Sequence, residues 1–335
     1  MLLLWACSES EPPSVLIPRL SFEESLSIGL AEGDGPEVLG EVKDVAVDPD
    51  GSFYVLDSQA KSVKRFGPEG DFRGEFGREG EGPGEYTSPT GIAADNNFGL
   101  YVVDEALLRL TIYKIEGSTV RHIRDVRLPL APRQICVLGK RLFVVSFHND
   151  HALHELTTDG EVVNSFAYVP KTLLPEISDR WQNSLRFGAA YGQVECAEET
   201  DVIAFLPHSW PNLRVFSPQG DSILELEISD YRRQHFRETE RGTLQYLPNP
   251  ETGTAHMGLA VRELAPDLLM IQLLDAGWDH EEVTPETRMI WVSSGAQVSS
   301  PDSLPRIATF AGNRGYSFVN APFPRVSVLE WRLHR

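Results

Sequence analysis

The amino-acid sequence predicts an all-β chain: a six-bladed β-propeller of four-stranded antiparallel blades, closed by an N-terminal strand that completes the last blade. Three observations predict it. A small side chain recurs at one point of a short apolar run, at Ala46, Ala93, Cys136, Cys196 and Ala308, with Val261 fitting less well. A second and a third strand pattern follow each run after a tight turn, giving six units of up to four strands. A Gly-acid-Gly-Pro turn at 33–36 returns at 80–83, across the same interval that separates Asp48 from Asp95. One such sheet cannot bury both of its faces, so the units must stack around an axis, with small residues where the innermost strands converge.

Taken in order, the chain begins with the apolar Met1-Leu-Leu-Leu-Trp-Ala6, then Cys7 and a polar stretch to Pro13. The apolar run is too short to span a bilayer and lacks the basic start of a complete signal peptide. Leu4-Trp-Ala-Cys7 resembles a bacterial lipobox, imperfect at Trp5. Residues 1–13 are therefore expected to be a signal or lipid-anchor remnant and tether, with Cys7 bearing the lipid if translation starts further upstream. Residues 14–335 are expected to form one domain, with blades near 43–77, 89–126, 132–168, 192–228, 257–296, and 305–334 plus 20–29. The alternating stretch 21–28 supplies the fourth strand that the last unit lacks, and pairing it there removes an exposed sheet edge.

Within the units, Phe53-Tyr-Val-Leu56, Leu100-Tyr-Val-Val103 and Leu142-Phe-Val-Val145 read as second strands, reached through turns such as Pro49-Asp-Gly51. Asp57 and Asp104, closing second strands, read as turn caps. Cys136 and Cys196 stand in the small-residue column, so they are expected to pack as free, buried thiols rather than to bond to each other. The Gly-rich stretch 77–91 is not read as a phosphate cradle. No helix pattern follows it, it lacks the Lys-Ser/Thr ending of a P-loop, and its turn is a copy of an upstream one.

Composition narrows the function. With 41% apolar residues the chain of 335 has a core to build, and 27 Gly with 23 Pro favour turns over long helices. A net charge of -19 argues against a nucleic-acid surface and against docking on anionic lipid, because both need clustered Lys and Arg.

The string GREGEGPGEYTSPTGIAAD followed by LYVVD, with PDGSFYVLD and SVKRFGPEGDFRGEFG before it, resembles six-bladed propellers of the NHL-repeat type, found among bacterial secreted and lipid-anchored proteins. The likeness is strong over 40–115, recognisable to 228 and weak beyond. It implies a cell-envelope location, periplasmic, outer-membrane-anchored or secreted. Propeller lyases and lactonases that this fold resembles hold a metal at the axial channel, although their ligand motifs have no residue-by-residue match here.

Antiparallel blades send their second-to-third turns and their crossovers to one face, and every long segment falls there: 77–90, 170–191, 229–257 and 276–288. Binding residues often ride on such loops. That face is expected to display Arg109, His151, Trp181, Arg186, Trp210 and Trp278 as ligand-binding candidates, with Asp150, Arg232, Arg233 and His256 nearby. His148, His208 and His280 occupy equivalent loops of successive units and are candidate ligands for zinc over the channel; Asn149-Asp150 could serve calcium, without a calcium-loop signature. No G-x-S-x-G, H-E-x-x-H or C-x-x-C occurs, and no catalytic residue is assigned. The expectation is a non-enzymatic, envelope-associated propeller that needs no cofactor and binds a peptide, glycan or partner protein. The alternative is a metal-dependent lyase or hydrolase with its site at the channel mouth.

Overall fold

In the computed structural model, which describes residues 18–276, 285–302 and 304–334, six four-stranded antiparallel sheets follow one another around an axis. They span 42–76, 89–127, 134–168, 192–227, 255–299, and 307–334 joined by Arg19–Ile28. The first strand of each blade is innermost, and these strands adjoin one another around the ring.

Burial grades from the axis outward. Second strands such as Phe53–Asp57, Gly99–Asp104 and Val202–Pro207 are buried along their whole length, because a neighbouring blade covers each face. That is why they read as continuous apolar runs rather than alternating ones. Outer strands such as Phe72–Phe76 and Ser222–Glu227 are largely exposed. The core accordingly lies between blades: Tyr54 and Leu56 of the first pack with Leu100 and Val102 of the second.

The repeated polar residues are turn caps. Asp57 accepts from the Gly40 N–H at 2.7 Å and the Ala60 N–H at 2.9 Å, and Asp104 from Thr87 at 2.8 Å and Leu107 at 2.9 Å. Each ties an incoming crossover to the turn after the second strand. The two Gly-acid-Gly-Pro turns share a backbone, with φ of +136° at Gly33 and +148° at Gly80, a region that favours glycine.

Arg19–Ile28 pairs antiparallel with Arg325–His334, from Arg19 opposite His334 to Ile28 opposite Val326, with one bulge between Glu24 and Leu26. Leu20 and Ile28 are buried, so the strand is anchored by side chains as well as by its ladder. The last blade is closed by residues from the opposite end of the chain.

Three features differ from the sequence expectation. Cys136 and Cys196 are joined in a disulfide, their Cα atoms 5.6 Å apart, within the span such a bond requires. The same column position on adjacent innermost strands brings them together, because those strands converge at the axis. On the fifth innermost strand, Val261 is packed between blades, and the neighbouring Arg262 faces the channel instead. Two long crossovers also have structure of their own: a helix, α1 (Asp179–Ala190), and a hairpin of His235–Glu238 with Leu244–Leu247.

Candidate functional site

The innermost strands enter from the crossover face and run to the opposite face, so the residues at their beginnings and ends line opposite halves of the axial channel. The half near the crossover face is a chamber of about 320 Å³ lined by Lys43, Arg133, Gln193, His208 and Arg306 among others. The far half is larger, about 840 Å³, and carries Asp44, Asp48, Glu195, Glu198, Glu199 and Glu263, with Arg262 and the disulfide in its wall. Gln134 borders both. The channel is thus basic at one end and acidic at the other.

In the acidic chamber, burial pushes the Glu195 carboxyl up to about 7 against the pull of Arg262, whose guanidinium lies 3.6 Å away. Burial likewise raises Asp44, although its two oxygens accept from the Val45 and Ile92 amides at 2.9 and 3.2 Å.

The basic chamber is built from side chains with distinct states. Arg133 stacks 4.1 Å over the Tyr191 ring, donates to the Tyr191 hydroxyl and is ion-paired with Glu105. The residue at the end of α1 is Tyr191, so the helix in that crossover is what sets this wall. Gln193 donates its amide N–H to His208 Nε2 at 3.0 Å. Burial, then Arg306, Lys43 and Arg133, pulls His208 down to about 4, so its imidazole is neutral near pH 7. The Arg306 guanidinium lies 4.5 Å over the Phe318 ring, and burial and then Arg262 bring it down to about 10. Among the described residues, neither Arg306 nor the exposed Lys43 has an ion-pair or side-chain hydrogen-bond partner.

The candidates read from the sequence are placed differently. Arg109 turns inward and donates to the carbonyls of Gly82 at 2.9 Å and Glu85 at 2.8 Å, holding the Gly-rich turn. Arg186 is buried, ion-paired with Asp150, donating to Val169 O at 3.1 Å and lying over Phe147. Trp181, in the first turn of α1, packs in a small apolar cluster with Leu174, Ile177 and Leu185, and Trp210 joins that cluster with the Arg233 guanidinium 4.3 Å from its ring. His151, at the start of the third strand of the third blade, donates from Nδ1 to the Asn149 carbonyl at 2.7 Å. His208 lines the basic chamber, whereas His148 lies beside His154 within its own blade and lines neither chamber. Trp278, His280 and Cys7 lie outside the described residues. Among the described residues, no group of three His, Cys, Asp or Glu side chains is arranged to hold a metal ion.

Sequence reasoning missed Lys43, Arg133, Gln193 and Arg306. A signal was present: Lys43, Arg133 and Gln193 each stand three residues before a member of the small column, at Ala46, Cys136 and Cys196. Arg306 stands two residues before Ala308 and so falls outside that spacing.

A family model, DUF5128, described as a 6-bladed beta-propeller, matches residues 37–165. No curated protein matches the chain. Among solved structures, the chain is similar to an exported protein of Bacteroides fragilis, with a TM-score of 0.62 and 10% identity, covering 95% of this chain and 96% of that one. It is also similar to a member of the DUF4221 family from Bacteroides vulgatus, with a TM-score of 0.59 and 10% identity over 95% and 99% of the two chains. A catalytically inactive virginiamycin B lyase from Staphylococcus aureus with quinupristin gives a TM-score of 0.50 and 12% identity over 93% and 99%. Identities this low speak to the fold, a propeller whose surfaces serve binding in some proteins and catalysis in others.

Proposed function

We propose that the chain is a non-enzymatic binding propeller of the cell envelope, or a secreted one, that holds a peptide, glycan or partner protein on its crossover face. One observation carries this reading: α1, the 235–247 hairpin and the cations Lys43 and Arg306, which have no ion-pair partner among the described residues, all gather at the same end of the axis. Ligand sites favour such concave, largely preformed places. The location is supported by the Cys136–Cys196 disulfide, a bond that persists in oxidising compartments, and by the exported neighbour in Bacteroides fragilis. Kinship with the NHL-repeat type and a lipid on Cys7 belong to the same reading.

Glycan and peptide arrays probed with the full chain test it. Lys43→Glu at the crossover mouth should abolish the signal, while Glu198→Lys at the opposite mouth should leave it. Binding that follows Glu198 instead overturns the reading. Elemental analysis after purification without chelator tests the alternative: stoichiometric zinc or calcium that is lost on changing His148, His208 or His280 would favour a metal-dependent lyase or hydrolase, and absence of metal would count against it.

A further inference from the structure

Resting on that binding reading, we infer that the basic chamber takes a singly charged carboxylate that carries hydroxyl groups: an acidic sugar of the hexuronate kind, free or at the end of a chain. Arg133 is already neutralised by Glu105, but Arg306 and Lys43 line the same chamber with no acid or hydrogen-bond acceptor among the described residues. The Arg306 guanidinium is only partly exposed in the channel, and an incoming oxyanion would give it a charge-assisted partner. The Phe318 ring, 4.5 Å from the Arg306 guanidinium carbon, supports that side chain, and a guanidinium can meet a carboxylate through two N–H groups at once.

Charge counting sets the valence. Within the chamber's own lining, Glu41 at the rim offsets one of these two cations, while Asp44, the residue after Lys43, lines the acidic half, where burial raises its carboxyl. The remaining excess balances one negative charge better than the two of a phosphate monoester. The neutral lining sets the rest of the ligand. Gln134 offers its amide N–H₂ and Gln193 its carbonyl, neither engaged within the described residues, and such a donor and acceptor pair matches hydroxyls. At about 320 Å³ the chamber is at the small end of ligand sites, the scale of one sugar unit.

Isothermal titration of the full chain with galacturonate, glucuronate, digalacturonate, galactose and inorganic phosphate tests this. A hexuronate should bind, and galactose should bind about tenfold or more weakly, since a charge-assisted contact is lost. Lys43→Met and Arg306→Met should each weaken the hexuronate by about the same factor. Lys43 is exposed, so its variant remains informative if the Arg306 variant fails to fold. Tight digalacturonate binding assigns the site to a chain end, and its exclusion assigns it to the free sugar. Phosphate or galactose binding as tightly as the acid overturns the inference, as does Lys43→Met without effect. If no acid binds while arrays still find a ligand at the crossover face, the inference falls and the binding reading stands; if the arrays are also silent, both fall.

Discussion

Glu195 lies in the channel wall with Arg262 for company and Glu263 close by, and its pKa of about 7 compares with an ordinary 4.5. Between those values the folded chain keeps a proton that the unfolded chain has released, so the contribution of this group to stability falls as pH rises through the window. His154 and His208, both held near 4 chiefly by burial, slope the other way between 4 and 6.5. Comparison with a variant isolates the carboxyl: Glu195→Gln should gain on the wild type by roughly 1–3 kcal/mol between about pH 5 and about pH 8, less where channel water screens the charge. Urea unfolding at the two pH values reads it, and a difference that stays flat removes the buried neutral acid. At this scale the sequence was only partly legible. The caps Asp57 and Asp104 could be seen because they repeat. Arg109 and Arg186 looked like ligand residues because a sequence shows that an Arg stands near a loop, not that carbonyls or Asp150 already occupy it.

The six innermost strands announced themselves through their small column, yet the same column concealed the covalent bond. Ala, Cys and Val are interchangeable there by volume, and nothing in a linear pattern says that strands 60 residues apart meet within 5.6 Å. Closing a loop of that length restrains the unfolded chain, so Cys136→Ala with Cys196→Ala should cost about 2–4 kcal/mol in urea unfolding. Thiol titration of the denatured, unreduced protein should find neither cysteine reactive; reactive thiols at both positions would refute the bond. The helix α1 was hidden for a different reason. It buries Gln182, Leu185, Arg186 and Ala189, a mixed set whose apolar face is too thin to stand out in a crossover, and Gln182 secures the preceding turn by donating to Leu174 O at 2.7 Å and Ile177 O at 2.8 Å. Tyr191, and with it one wall of the basic chamber, depends on that element.

The ring as a whole was the most legible level, since a repeat of sheets with one strand missing at the end and one spare at the start has few solutions. Removing residues 1–28 should lower the melting temperature well below that of a chain lacking only 1–17, because it deletes Arg19–Ile28 and bares the edge of Arg325–His334. Equal melting temperatures in scanning calorimetry would refute closure by this strand. What stayed hidden at this level was polarity: the chain as a whole is acidic, and only the threading of its innermost strands sorts Lys43, Arg133 and Arg306 to one mouth and Glu195, Glu198 and Glu263 to the other.

Pairing Arg19 with His334 also imposes an order of assembly. Blades one to five are built from neighbouring segments and can form as the chain emerges, but the seal joins residues separated by nearly its whole length, and contacts so distant in sequence are slow to make. Until that event the newborn chain carries an unmated strand at each end, and its exposure to proteases and to other copies of itself is set by how long the seal takes.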